Sequence, residues 1–164
     1  MTSSPDWGTS LRSACSPVLK RAGRMAGAAL LMVLHCASVT AAPFIAGAWI
    51  RALPGDLPAA GYLVIQNDGD SALDLKRVSS PRFAEVMVHR SVNVHGQEGM
   101  MAVDTLTIPP HRNVLLAPGG LHLMLMDPTP PLQVGETVHL RFEFSSGAAV
   151  TAAFPVKPAG AIGP

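Results

Sequence analysis

The sequence predicts an all-β fold, a single small β-sandwich or Greek-key barrel, and two observations carry that expectation. Short runs of strand character recur about every ten residues between residues 48 and 156, with turn-forming residues between them. No stretch of the same region sustains the apolar period of a long helix. Many short strands with regular turn signals build a sandwich or barrel, because each strand has an apolar face that only a second layer can bury.

Taken in order, the first run, 48–52, ends at Pro54-Gly55, where proline has no N–H to give a ladder. The second, 61–66, enters Asn67-Asp68-Gly69, residue types that tolerate turn conformations. A third covers 73–78. The fourth, 84–92, contains Val86-Met87-Val88-His89 in alternation. One strand is read across 101–108, up to Pro109-Pro110, and another across 113–117, up to Pro118-Gly119-Gly120. In 121–126, Leu121, Leu123 and Leu125 alternate with His122, Met124 and Met126, the pattern of a strand with one face in the core. After Pro128 to Pro131, the run 138–144 alternates Val138, Leu140, Phe142 and Phe144 with His139, Arg141 and Glu143. Ser145-Ser146-Gly147 separates it from 149–156. No internal repeat or linker divides this region.

Residues 1–41 differ in kind. Lys20, Arg21 and Arg24 precede an apolar run, 25–39, interrupted by His35, Cys36 and Ser38, and small residues follow at Val39-Thr40-Ala41-Ala42. Basic, apolar and small-residue regions in that order predict a secretory signal peptide. The run falls short of the about twenty apolar residues that a membrane span needs, so export with cleavage is expected ahead of a retained anchor, and no stable membrane insertion after it. Cleavage is expected after Ala41, because a cut after Ala42 would set Pro43 behind the bond. Leu34-His35-Cys36 puts a bulky His where a lipobox needs a small residue. The domain is then 42–164.

Both cysteines, Cys15 and Cys36, fall in the segment to be removed. A cysteine-free domain has no disulfide, no thiolate metal site and no blue-copper centre, which needs a Cys ligand. From residue 42 on, eight Lys or Arg against ten Asp or Glu leave a formal charge of −2, compared with +1 for the whole chain. No Lys/Arg cluster suggests nucleic acid. Nucleophile elbow, phosphate-binding glycine loop, zinc-protease His pair and redox Cys pair are all missing, so no enzyme is expected.

The chemistry concentrates between His89 and Met124. His89, Met100, His122 and Met124 are spaced His-x10-Met-x21-His-x-Met. Given this chain's 8 Met and 6 His in 164 residues, that spacing arises by chance about once in two thousand. A thioether is a soft, uncharged donor, so two Met beside two imidazoles favour Cu(I) over zinc, calcium or magnesium. On a strand, His122 and Met124 share a face. Bringing all four donors to one ion needs a tertiary contact beyond the reach of spacing.

These residues resemble the copper-binding motif of the periplasmic copper chaperone family usually called PCuAC. All four ligand positions match, and so do the flanking Ala48-Trp49-Ile50-Arg51, Ala60-Gly61-Tyr62-Leu63, Asn67, Val78-Ser79-Ser80-Pro81 and Pro118-Gly119-Gly120. The resemblance covers about residues 46–156. It implies a cupredoxin-like sandwich, monomeric and periplasmic, that carries Cu(I) on His89, Met100, His122 and Met124. The implied recipient is the copper-bearing subunit of respiratory cytochrome c oxidase, or a Sco-type copper protein on the way to it. The chain departs from some members at Arg90, where they have Met, and residues 157–164 hold none of the His and Met of their C-terminal tails.

Other candidates are weaker. His95 and His111 sit in turns, where solvated histidines are the rule, and His139 belongs to the solvent side of its strand. Met126 and Met87 share parity with the ligands, as outer donors or as packing. Met101 is expected in the core, with Trp49 and Tyr62 as packing anchors. Two other functions remain open: copper storage or detoxification with the same site, and a metal-free structural sandwich.

Overall fold

The computed structural model describes residues 42–55, 57–94 and 96–163; the expected signal segment and His95 lie outside them. Ten strands follow one another: β1 Phe44–Arg51, β2 Ala59–Asn67, β3 Leu73–Ser79, β4 Phe83–Val94, β5 Gln97–Ala102, β6 Leu106–Ile108, β7 Arg112–Leu116, β8 Leu121–Pro128, β9 Thr137–Phe144 and β10 Ala149–Lys157. Among the described residues there is no helix long and apolar enough to cross a membrane. The all-β expectation holds.

The strands join in the order β5-β4-β8-β2-β1-β10-β9-β3-β6, with β7 also on β2. β5, β4, β8, β2, β7 and β1 form one layer, and β10, β9, β3 and β6 form the other. Every pair is antiparallel except β1 with β10, where Ile50 and Arg51 meet Val156 and Lys157 and carry the ladder from one layer to the other. β7 and β8 run along the same edge of β2, β7 against Leu63 to Asn67 and β8 against Ala59 to Gly61. The Pro118-Gly119-Gly120 turn interrupts what would otherwise be one strand, with Gly119 at φ 78°.

The core is the alternation made physical. Leu63 and Ile65 of β2 and Leu123 and Leu125 of β8 face Leu140, Phe142 and Phe154 of the other layer, each with at most 1% of its surface exposed. Phe142 and Phe154 stack with centroids 6.0 Å apart. Burying a side chain of this size contributes roughly 1.5–3 kcal/mol. Gly61 is needed at the crossing of β2 and β8: a Cβ there would lie 3.1 Å from Leu123 Cβ.

Three expectations need correcting. The run 101–108, read as one strand, is two. After the Val103 N–H donates to the Val88 carbonyl oxygen (2.8 Å), the chain leaves β4 and crosses to the other layer, where Leu106 pairs with Leu75. Its apolar residues therefore belong to two sheets. Met101 is 59% exposed and lies outside the core, because all of edge strand β5 is exposed. The first strand also begins earlier than expected, at Phe44, through a bulge between Ala46 and Trp49 that Gly47 accommodates at φ 56°.

Candidate metal centre

The β4–β8 ladder is the longest-matched pairing in the site-bearing layer, with Val86 opposite Leu125 and Val88 opposite Leu123 on its core side. The opposite parity puts Met87 against Met124 and His89 against His122 on the outer side. His89 and His122 are direct cross-strand partners, with ring centroids 6.1 Å apart and planes inclined by 59°. An imidazole nitrogen sits about 2.0–2.1 Å from a borderline metal ion, so two rings sharing one ion have centroids roughly 5–6 Å apart. At 6.1 Å the pair lies just beyond that spacing.

The protonation pattern also suits a metal. His122 is 5% exposed, and its Nδ1 lies 3.2 Å from the Gly120 carbonyl oxygen. A carbonyl only accepts, so Nδ1 donates this bond and Nε2 is the nitrogen left to ligate. The Pro118-Gly119-Gly120 turn thus sets the tautomer. Both ring nitrogens of His89 are shielded from solvent and have no partner among the described residues. A buried polar group left unpaired costs about 1–3 kcal/mol, so such a group in a native fold calls for a water or an ion as its partner. Burial, and secondarily the His122 charge, hold the His89 imidazole below its ordinary pKa, in the neutral form that can ligate.

Met124 follows His122 on the same face of β8 and is half-buried. Met100 arrives from β5, where its partner is Ser91, two residues along β4 from His89 and on the same face. It is 63% exposed. Met100 and His122 line one cleft of about 420 Å³ together with Arg51, Tyr62, Ser91 and Gly119. The strand pairings therefore bring all four expected donors to one side of one sheet.

Sequence reasoning did not foresee the aromatic pair beside this cleft. Trp49 and Tyr62 are packing anchors as expected, buried with centroids 4.6 Å apart, but they pack on the outer, site-bearing face and not in the core. The Arg51 guanidinium lies 5.4 Å from the Trp49 ring and 5.2 Å from the Tyr62 ring, and Arg51 Nη2 donates to the Ala161 carbonyl oxygen (2.7 Å). Burial pushes the Tyr62 phenol up, against the pull of Arg51, so it stays protonated beside the site. The signal was the shared parity of Trp49 and Arg51, read only as a strand. The other described histidines lie elsewhere. His111 pairs with Asp70 in an exposed turn (2.9 Å), and His139 is exposed on β9.

"Putative lipoprotein Lxx21020" of Leifsonia xyli subsp. xyli is 31% identical over 114 residues, 69% of this chain and 68% of that protein. The solved structure of the copper-bound PCuAC domain from PmoF2 superposes with a TM-score of 0.61 at 28% identity, over 73% of this chain and 95% of that domain. The solution structure of Cu(I)-DR1885 from Deinococcus radiodurans does so with a TM-score of 0.59 at 29% identity, over 74% and 81%. With the family model described as "Putative lipoprotein LpqE-like" matching residues 45–156, nearly the whole sandwich, the chain belongs to the LpqE-like family.

Proposed function

We propose that the protein is an exported copper chaperone: it binds one Cu(I) through His89, Met100, His122 and Met124 and delivers it for assembly of the copper centre of respiratory cytochrome c oxidase. One observation carries this reading. Two imidazoles face each other across β4 and β8, one of them with no partner among the described residues, and thioethers flank them on the same sheet face. That donor set is soft and lacks a thiolate, so it favours Cu(I) without holding it as tightly as cysteines would. Similarity to copper-bound PCuAC domains supports the choice of metal, and the lipoprotein naming of the family supports export. For this chain we favour cleavage after Ala41 and a periplasmic monomer.

Delivery follows from exposure. Met100 stands on an edge strand and is 63% exposed. An incoming thiolate of the oxidase copper subunit, or of a Sco-type protein, displaces that ligand first, while the buried His122 holds the ion until the exchange is complete. The test is Cu(I) competition titration of residues 42–164, expected to show one tight equivalent. Deletion in the source organism is expected to lower oxidase activity when copper is scarce, with rescue by added copper. Normal oxidase with copper sensitivity would instead favour storage.

A further inference from the structure

The β4–β8 outer face holds more thioethers than the four-ligand site uses. Met87 is the direct partner of Met124, and Met126 lies two residues further along β8 on the same parity, opposite Glu85. All three methionines are half-buried. Core filling does not account for them: the core side of the same ladder is occupied by Val86, Val88, Leu123 and Leu125, and none of the three methionines belongs to the core cluster. Directly opposed residues on antiparallel strands have Cβ atoms about 4.5–5.5 Å apart, and diagonal neighbours lie a little further. Unbranched methionine side chains reach across such gaps and adapt to what they find. The outer positions of the two strands between Glu85 and Ser91 hold Met87, His89, His122, Met124 and Met126, with no Lys or Arg among them. A cation on this face meets no like charge from these strands, and the Glu85 carboxylate stands at its end.

We infer that Met87, Met124 and Met126 form a second, thioether-only position for a soft monovalent ion, Cu(I) or Ag(I), next to the histidine pair. Met124 belongs to both positions, so one ion occupies one or the other. It moves between them by exchanging His89, His122 and Met100 for Met87 and Met126 without leaving Met124. Three neutral sulfur donors suit a soft cation and discriminate against zinc, calcium and magnesium. This deepens the proposed copper site, on which it rests only through Met124. It gives the ion a path along β8, away from the exposed Met100 end.

Ag(I), which is redox-inert, is the probe, and the methionine εCH3 resonances of residues 42–164 are the readout. In the wild-type protein, one equivalent of Ag(I) is expected to shift the methyls of Met87 and Met126 as well as those of Met100 and Met124, with M87I removing the Met126 shift. The H89Q/H122Q variant is expected to bind one equivalent, now shifting Met87, Met124 and Met126 and leaving Met100 unmoved. Its metal-free core methyl spectrum checks that it folds; the wild-type arm stands without it. Unmoved Met87 and Met126 methyls in the wild type overturn the inference and leave the four-ligand site standing. Wild-type affinity in H89Q/H122Q would overturn the four-ligand site and leave this one.

Discussion

His89 and His122 are Cα partners on adjacent antiparallel strands, their rings 6.1 Å apart on the side of the sheet turned away from the core. The arrangement makes the two imidazoles interdependent: each is the other's direct cross-strand partner, and only one has a hydrogen-bond partner among the described residues. Their replacement is expected to cost Cu(I) affinity at least the roughly 10–100-fold that the loss of an outer-shell partner costs a metal site. H89Q and H122Q should each do so, and the double variant should lose less than the sum of the two. Competition titration against a Cu(I) chelator measures all three.

The methionines offer an internal control. Met100 and Met101 are neighbours on β5, 63% and 59% exposed, and project to opposite faces. M100I and M124I are expected to weaken Cu(I), whereas M101I should leave it unchanged. Neither β5 variant should alter the unfolding midpoint, since exposed positions away from special features change stability within about 0.5 kcal/mol.

How much of this was legible in the sequence depends on which contacts are local. His122 and Met124 share a strand, so parity alone sets them on one face, and the Pro118-Gly119-Gly120 turn before them was readable. The pairing of β4 with β8 joins residues more than thirty positions apart, and the register that puts His89 against His122 comes from tertiary packing. The split of 101–108 was hidden for the same reason: each half is good strand sequence, and only the crossing to β3 separates them. Met101 and the Trp49-Tyr62 pair show the limit of hydrophobicity as a guide. An apolar residue on an edge strand can be exposed, and a buried aromatic pair can lie on the outer face.

Apo-protein stability should depend on pH through His89. Burial and His122 lower its pKa in the folded state, while the unfolded value is near 6.5. The unfolded chain therefore binds more protons, and stability rises with pH. The contribution is complete above the unfolded pKa and is lost as pH falls below it toward the folded value. The limiting slope for one group is about 1.4 kcal/mol per pH unit. Urea unfolding between about pH 7.5 and 5 should show this decline, and H89L should flatten it.

Asn67 is expected to matter for the fold and not for copper. It is 1% exposed, and its Nδ2 donates to the carbonyl oxygens of Ser71 (2.8 Å), Ile108 (3.0 Å) and Pro109 (3.1 Å), while its Oδ1 accepts from the Gly69 N–H (3.1 Å). One amide thus ties the β2–β3 turn to the end of β6. N67A leaves those carbonyls without it and should destabilise the protein by about 2–3 kcal/mol. Cu(I) affinity of the folded fraction should match wild type.

The last prediction concerns proton competition for the metal. Imidazole must be neutral to ligate, whereas a thioether has nothing to titrate near neutral pH. Below the free-protein pKa each ligating His costs about tenfold in apparent affinity per pH unit, so two set a limiting slope of about two decades. Burial and the His122 charge hold His89 below its ordinary value, so its share of the slope should appear at lower pH than the unperturbed value would give. Recruitment of His95 or His111 would steepen it towards three decades; His111 is engaged with Asp70 in an exposed turn, and His139 lies on the other layer. Oxidation probes the other half of the site. Converting Met100 and Met124 to sulfoxides replaces soft sulfur by harder oxygen and should weaken Cu(I) more than Cu(II). Log affinity measured from about pH 5 to 7.5 under reducing conditions decides the matter. A flat profile would mean that neither His89 nor His122 is a ligand, and the shape of the cleft would then need another occupant.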